Sequence, residues 1–513
     1  MGGFETHRAR LMGLVNFGYH FGMEYSRSSM QPNSSQPSHQ VVVVGGGLAG
    51  CAAAFNLSQA LGPGAVTLVE ARAETGGRAR SFTDPASGEL IDNCQHLMMG
   101  CCINLRRFTD AMGLKDAWTH QNFLTFVTRD GRRSRFSAAN LPAPLHLAGA
   151  FARLHTLPFR SKISLARAVL ALASSGESGG DEPVLGWLAR HSQGDRELKA
   201  FWEPVLVSAL NDRMERLGIR PARKVFLEAF LGGKSAFDVW LPARPLGLIF
   251  GLETRRALEK AGVALQTDSP VRTIQSLKGS GWVVNTRDGK AIKTTHLVLA
   301  TPHKTSWELL ESAGVCPEKV AGGSIESKWS TQLGHSSITA IHLWFSRRFL
   351  PVEHAALVGG MGHWVFRKSW ATQDDPYCQV LISASDNLLE ESSEKLIEQA
   401  ATELLRFFPE PDSNQPPPNL VRGKVVREKS ATFQQSLGMD SWRPSNSLQV
   451  PGVSLAGDFT RTGWPATMEG AVRSGFLASH HCLTSLGVEP KNLLAIQEPK
   501  LCWFQQMLAK AGA

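Results

Sequence analysis

The chain has 513 residues, 42% hydrophobic and 19% charged, which supplies material for two or three packed domains or one large interrupted fold and excludes a fibrous or disordered polymer. Its net charge of +9 predicts a basic surface, but no long Lys/Arg run concentrates that charge, so no nucleic-acid partner is expected. A run of the roughly 18 uninterrupted apolar residues that a transmembrane helix needs is missing, so none is predicted.

Residues 1–39 read as a disordered leader. Residues 8–23 mimic a signal peptide, but Asn16 and His20 break the apolar core and no small-residue cleavage site follows, so no cleaved signal is predicted. Residues 24–39 are rich in Ser, Pro, Gln and Asn, and Met30 is a candidate start codon. Then comes the organising stretch of the chain. Val41–Val44 predicts a buried parallel strand, Gly45, Gly47 and Gly50 stand at GxGxxG spacing, and Leu48, Ala49 and the alanines beyond predict a helix. Gly45 permits a tight turn, Gly47 lets the backbone approach a pyrophosphate at the helix N-terminus, and Gly50 allows close helix–strand packing. Glu70, twenty residues after Gly50 at the end of a second apolar run, is placed to accept from a ribose hydroxyl. Together they predict a dinucleotide cradle. In the loop that follows, Gly76 and Gly77 turn beside Arg72 and Arg78, whose guanidinium groups can answer a diphosphate.

The string Glu70-Ala71-Arg72, then Gly76-Gly77-Arg78-Ala79 and Ser81, resembles the flavin-dependent amine oxidase and carotenoid desaturase superfamily, which implies FAD as cofactor. Ile91-Asp-Asn-Cys-Gln-His-Leu-Met-Met-Gly100 is similar to a segment of the hydroxysqualene dehydroxylases, squalene-associated FAD enzymes of hopanoid biosynthesis. Cys94 stands where that pattern has glycine. Residues 122–140 alternate and turn at Asp130-Gly131, predicting a hairpin. Leu141 to Ser175 is apolar and basic, which suits either an ordinary amphipathic helix pair or helices resting on an anionic membrane. A loop at 176–181 precedes helices running to about residue 231. Within them Phe201–Asp212 matches the W-x-P-x-x-x-x-A-L-N run of the same dehydroxylases, as Leu241–Leu246 matches their L-P-x-x-P-L step.

Residues 253–302 read as a helix to Ala261, three antiparallel strands beginning at Gly262, Ser269 and Gly281, and a final parallel strand from His296. Beyond it, Ser337–Phe345, Ala356–Phe366 and Gln379–Ser385 predict an antiparallel sheet forming a cavity floor, and Glu390–Phe408 an amphipathic helix. His342, His363 and Trp364 face either that cavity or the core. Val453–Gly475 predicts a strand ending at Gly457-Asp458 and a helix starting near Ala466, with its N-terminus toward an electron-rich ring. This stretch is shared by the carotenoid desaturases, while Thr462-Gly-Trp-Pro-Ala-Thr467 leans toward the dehydroxylases. A short amphipathic helix is expected at Leu501–Leu508.

These resemblances imply an α/β fold: a Rossmann-like FAD-binding domain (40–121, 246–305 and 441–486) interrupted by an α+β substrate domain (122–245, helical, and 306–440, with an antiparallel sheet), and a tail at 487–513. By resemblance, the cofactor residues are Gly45, Gly47, Leu48, Ala49, Gly50, Glu70, Ala71, Arg72, Gly77, Arg78, Val271 (backbone toward the adenine), Gly457, Asp458, Pro465, Ala466, Thr467, Met468 and Glu469. The implied reaction is reductive removal of a hydroxyl from hydroxysqualene, a long apolar isoprenoid. Gln95, His96, Asn211 and Asp212 are the polar candidates for catalysis. The alternatives are a carotenoid or phytoene desaturase and a flavin-binding membrane scaffold without turnover. Eight scattered cysteines without metal spacing predict reduced thiols in a cytoplasmic protein, and the membrane reading of Leu141 to Ser175 would place it peripherally on the inner membrane face. No metal is expected, and oligomeric state stays open.

Overall fold

The computed structural model describes residues 40–175, 181–277, 281–315, 329–410, 416–491, 493–499 and 502–511. The leader with Met30 and most of the 176–181 loop lie outside the described residues. Four successive valines, buried on both faces, make Val41–Val44 a central strand. It is flanked in a five-stranded parallel sheet ordered Ala264–Gln266, Val66–Val69, Val41–Val44, His296–Leu299, Val453–Leu455. Strands from three distant parts of the chain thus close one nucleotide-binding sheet.

One expectation is corrected here. Ala264–Gln266 does not belong to the antiparallel group but pairs in parallel with Val66–Val69. The antiparallel group is Val271–Ser276, Trp282–Thr286 and Ala291–Thr294. Three residues are too few for periodicity to reveal direction, and the partner strand lies far away in sequence.

The helix Leu48–Leu61 packs its small residues against Met468–Ser485. A Cβ on Gly475 would overlap the Ala49 carbonyl oxygen and lie 2.8 Å from Ala52 Cβ, so glycine there sets how closely the two helices approach.

The second large sheet has seven strands ordered Leu420–Phe433, His335–Phe345, Tyr377–Ser383, Trp364–Phe366, His354–Val358, Phe123–Thr128, Arg133–Ser137. It is mixed rather than purely antiparallel, because the expected hairpin at 123–137 joins it through a parallel pairing with His354–Val358. Leu420–Phe433 has no clear apolar alternation, and its many charges disguise a fourteen-residue edge strand. The helix expected at 390–408 spans Ser393–Phe407, capped where the Ser392 hydroxyl accepts from Lys395 N.

The helical part, from Leu145 to Phe237, encloses an aromatic cluster built on Phe136, Phe151, Phe201, Trp202, Phe226 and Phe230. Trp202 is fully buried, its indole N–H donating to Gln193 Oε1 at 2.9 Å. No helix among the described residues is long and apolar enough to cross a membrane.

Candidate active site

The turn after Val44 has the geometry the glycines predict. Gly45 has φ +108°, and a Cβ there would sit 2.6 Å from the Ala300 carbonyl oxygen, so only glycine fits. On Gly50 a Cβ would overlap the Gly45 carbonyl oxygen, which is the close helix–strand contact. Gly47 differs from both. It caps the helix without a side-chain bond, and a Cβ there would meet nothing within 4 Å. The open space lies in front of the helix's first N–H groups, those of Leu48, Ala49 and Gly50, which have no partner within the helix. These residues fit a diphosphate.

Glu70 closes the cradle from the neighbouring strand. Its Oε2 accepts from Gly46 N at 2.5 Å and its Oε1 from Arg72 N at 3.0 Å, so the carboxylate is fixed beside the glycine turn. Ala71 and Arg72 follow in an exposed bend, where Arg72 Nη1 donates to Gly77 O at 3.2 Å. The loop leading to Val271 docks on the same bend, with Ser269 N donating to Glu70 O and Asp268 N to Arg72 O. Val271 therefore begins its strand beside Glu70.

The C-terminal segment arrives from the opposite side. Asp458 is buried and forms a 2.7 Å ion pair with Arg78, joining the loop after Gly77 to the end of the fifth parallel strand. Gly457 N donates to Ser474 Oγ at 2.8 Å. Pro465 and Ala466 lead into the helix at Met468, later than expected, with Thr467 as N-cap accepting from Gly470 N at 3.1 Å. Arg443, invisible in the motifs, is buried behind this loop and donates to Asp458 O at 3.0 Å and Thr462 Oγ1 at 3.0 Å. Its position is held by carbonyls, so no spacing rule marks it. Glu469 does more than offer backbone: its buried carboxylate accepts from Asn104 Nδ2 at 2.7 Å and Leu105 N at 2.7 Å, at the start of the helix Ile103–Ala111.

The loop from Ile91 to Gly100 lies between the cofactor segments and the seven-stranded sheet. Gln379, on that sheet, accepts from Gln95 N at 2.7 Å and donates to Asp92 O at 3.3 Å. It pins the loop, and nothing local in the sequence singled it out. Gln95 and His96 remain part-exposed here. His96 Nδ1 is 2.7 Å from Cys94 O, and burial holds its ring below the usual histidine range. The ring is therefore neutral, with its proton on Nδ1 and an acceptor at Nε2. Cys94 has no left-handed backbone angle, so a side chain is tolerated where glycine was expected. Its thiol is buried and pushed up to about 12.

Asn211 and Asp212 bond within the fold, Asn211 through Thr432, the neighbour of Ala431, whose carbonyl accepts from Arg78 Nη1. Asn211 ends its helix in the left-handed region, with φ +50°, where Asn is tolerated. Its carboxamide donates to Thr432 Oγ1 and accepts from Ala384 N. Asp212 is fully buried and accepts from Gln435 N and Arg213 N while pairing with Arg216. This bonding gives both a part in holding the fold. His342, His363 and Trp364 likewise bond inward, to Tyr377, Ser383 and Ser208.

The sequence matches the family described as flavin containing amine oxidoreductase over residues 48–483. It is 25% identical over 454 residues to a hydroxysqualene dehydroxylase of Zymomonas mobilis, covering 86% of this chain and 98% of that one. It is 26% identical over 473 residues to a 15-cis-phytoene desaturase of Solanum lycopersicum, covering 87% and 78%. The fold is similar to that of cyclohexylamine oxidase from Brevibacterium oxydans, with TM-score 0.61 and 16% identity over 88% of this chain and all (100%) of that one. With a dinucleotide cradle closed by Glu70, Arg78 and Asp458, and a family match across most of its length, the chain belongs to the flavin containing amine oxidoreductases, and its cofactor is FAD.

Proposed function

We propose that this FAD-dependent oxidoreductase removes the hydroxyl group of hydroxysqualene reductively, giving squalene. The observation that carries this reading is the end-to-end match to a hydroxysqualene dehydroxylase, 98% of which is covered, together with the dehydroxylase-like loop at Asp92–Gly100. In the structure that loop is fastened by Gln379 between the cofactor segments and the large sheet.

When bound, FAD supplies the two-electron chemistry. The remaining work falls to this chain. A hydride must enter at the carbon that loses hydroxide, and a proton must reach the departing oxygen to make water. The neutral His96 ring presents an acceptor at Nε2 for the substrate O–H and the Gln95 carboxamide N–H can donate a hydrogen bond to the leaving oxygen; neither is an acid, so the oxygen departs as hydroxide and takes its proton from the medium. The N–H groups of Met468 and Glu469, at a helix N-terminus, stabilise negative charge on the cofactor side of the site.

A second reading, desaturation of a phytoene-like chain, is supported by the 26% identity to the tomato enzyme. One experiment separates the two. Purified, FAD-loaded protein is reduced anaerobically and incubated with hydroxysqualene, and in parallel the oxidised protein is incubated with phytoene and a quinone acceptor. Squalene in the first arm supports the proposal. Unchanged hydroxysqualene with a new double bond in phytoene replaces it with the second reading.

A further inference from the structure

The run from Gly131 to Ser175 contains seven arginines and lysines and no aspartate or glutamate, in a chain whose net charge is +9. The helix Phe159–Ser174 buries Leu165, Ala168, Val169 and Leu172 in the aromatic core. An ordinary surface helix would turn a polar face outward. Here the outer face carries Phe159, Ile163 and Leu170, all exposed, Phe159 to 75%, with Ala166 exposed between them. At about 100° per residue these four fall within about 60° of one another. Arg160 and Arg167 flank the stripe on one side and Lys162 on the other. The helix Trp503–Ala511 packs against the same helix and exposes Trp503 and Met507. The segment leading into this helical pair exposes Leu141 and Leu145. Of the twelve large apolar side chains exposed among the described residues, seven belong to these three segments. Single exposed apolar residues are ordinary, but such a concentration marks an interaction surface.

We propose that this face docks on an anionic phospholipid bilayer. The helix Phe159–Ser174 lies in the interface with its apolar stripe among the acyl chains and its cations at the headgroup phosphates. The charge pattern selects this occupant. An acid-free basic rim complements a continuous negative surface, and among the described residues Arg153, Arg160 and Arg167 meet no carboxylate within the protein. A second copy of the chain would set Arg160, Lys162 and Arg167 beside the same cations of its partner across a two-fold interface, which is repulsive. The inference is independent of which isoprenoid is turned over.

The test is flotation of the FAD-loaded protein with vesicles of phosphatidylcholine alone and of phosphatidylcholine mixed with an equal part of phosphatidylglycerol. The protein should float with the mixed vesicles, far less with phosphatidylcholine alone, and binding should weaken as salt is raised. The double variant Arg160→Ser/Arg167→Ser should bind the mixed vesicles about twenty-five-fold more weakly, at about five-fold per cation. Phe159→Ser/Ile163→Ser should weaken binding as well. All four side chains point outward, so flavin absorbance and melting temperature should match the unaltered protein and exclude misfolding. Failure to float with the mixed vesicles at low salt overturns the proposal, as does flotation indifferent to both double variants. It is also overturned if Phe159→Ser/Ile163→Ser converts a dimer to a monomer in sedimentation while flotation persists, because the face then joins two copies. Squalene formation from detergent-dispersed substrate is unaffected by any of these results, so the enzymatic reading stands or falls separately.

Discussion

Glu469 caps a helix to which it does not belong. Its carboxylate meets Asn104, 365 residues away, accepting from the side-chain nitrogen at 2.7 Å and from the backbone at 3.2 Å, and it also takes the Leu105 N–H. The helix Ile103–Ala111 has no side-chain cap of its own at Cys102, so the negative charge at its N-terminus comes from the cofactor-facing helix. Glu469→Ala should lower unfolding stability by about 1–3 kcal/mol, and Asn104→Ala by a similar amount. Because the two share the same bonds, the double variant should cost clearly less than the sum. Denaturant melts of all four proteins check this, and strict additivity would contradict the cap.

The ion pair between Arg78 and Asp458, 2.7 Å apart, is one of the contacts that tie the first cofactor segment to the last. Arg78 is half-exposed, so the pair contributes little to folding, and its importance lies in the flavin site. Arg78→Ala and Asp458→Ala should each weaken FAD binding by about ten-fold or more, with melting of the flavin-free protein shifted only slightly. Titration of flavin-free protein with FAD, followed by quenching of flavin fluorescence, measures it. Unchanged affinity in both variants would remove this pair from the cofactor site.

Asp92 is buried with one oxygen accepting from Ser81 Oγ and Leu246 N, while Oδ2 has no hydrogen-bond partner. Burial pushes its carboxyl up to about 6. A carboxyl raised in the folded state stabilises the fold fully below its unfolded value, near 4, and that contribution is lost as pH rises through 6. Relative to Asp92→Asn, the unaltered protein should therefore lose up to about 3 kcal/mol of stability between pH 4 and pH 7. Unfolding curves collected across this range give the difference directly, and parallel pH profiles would show that Asp92 does not titrate there.

The cradle was legible because its physics is local. The strand Val41–Val44, Gly50 and Glu70 are fixed by contacts within thirty or so residues and Gly45 by its positive φ, although the carbonyl that crowds Gly45 belongs to distant Ala300, and the hairpin at 123–137 and the helix at 393–407 are local as well. What escaped notice depends on distant partners. Gln379 matters because it meets Gln95, and Arg443 because it meets the Asp458 loop. Neither partner can be inferred from spacing. Asn211 and Asp212 were visible as polar residues in a motif, but only their contacts with Ala384, Thr432 and Gln435 show that they hold the helical part to the sheet. The edge strand Leu420–Phe433 is disguised by its charges, which are tolerated because its side chains are mostly part-exposed.

Gly47 and Gly50 belong to the same motif but should fail in different ways when given a methyl group. At Gly50 the added carbon would overlap the Gly45 carbonyl oxygen, forcing the helix Leu48–Leu61 away from the strand whether or not cofactor is bound. Gly50→Ala should therefore destabilise even the flavin-free protein, by about 1–3 kcal/mol, and lose FAD as a consequence. At Gly47 the methyl would meet nothing within 4 Å, and the backbone has an ordinary φ of −70°, so Gly47→Ala should leave the flavin-free protein as stable as before. The space it fills is the approach to the helix N-terminus, where a diphosphate must come close to the backbone. Gly47→Ala should thus lower FAD affinity by ten-fold or more, on the order of 1.4 kcal/mol, without shifting the flavin-free melting temperature. Melting of stripped protein combined with FAD titration distinguishes the two. If Gly47→Ala destabilised the stripped protein as much as Gly50→Ala, that glycine would serve the fold, and the open space before the helix would not be the diphosphate site.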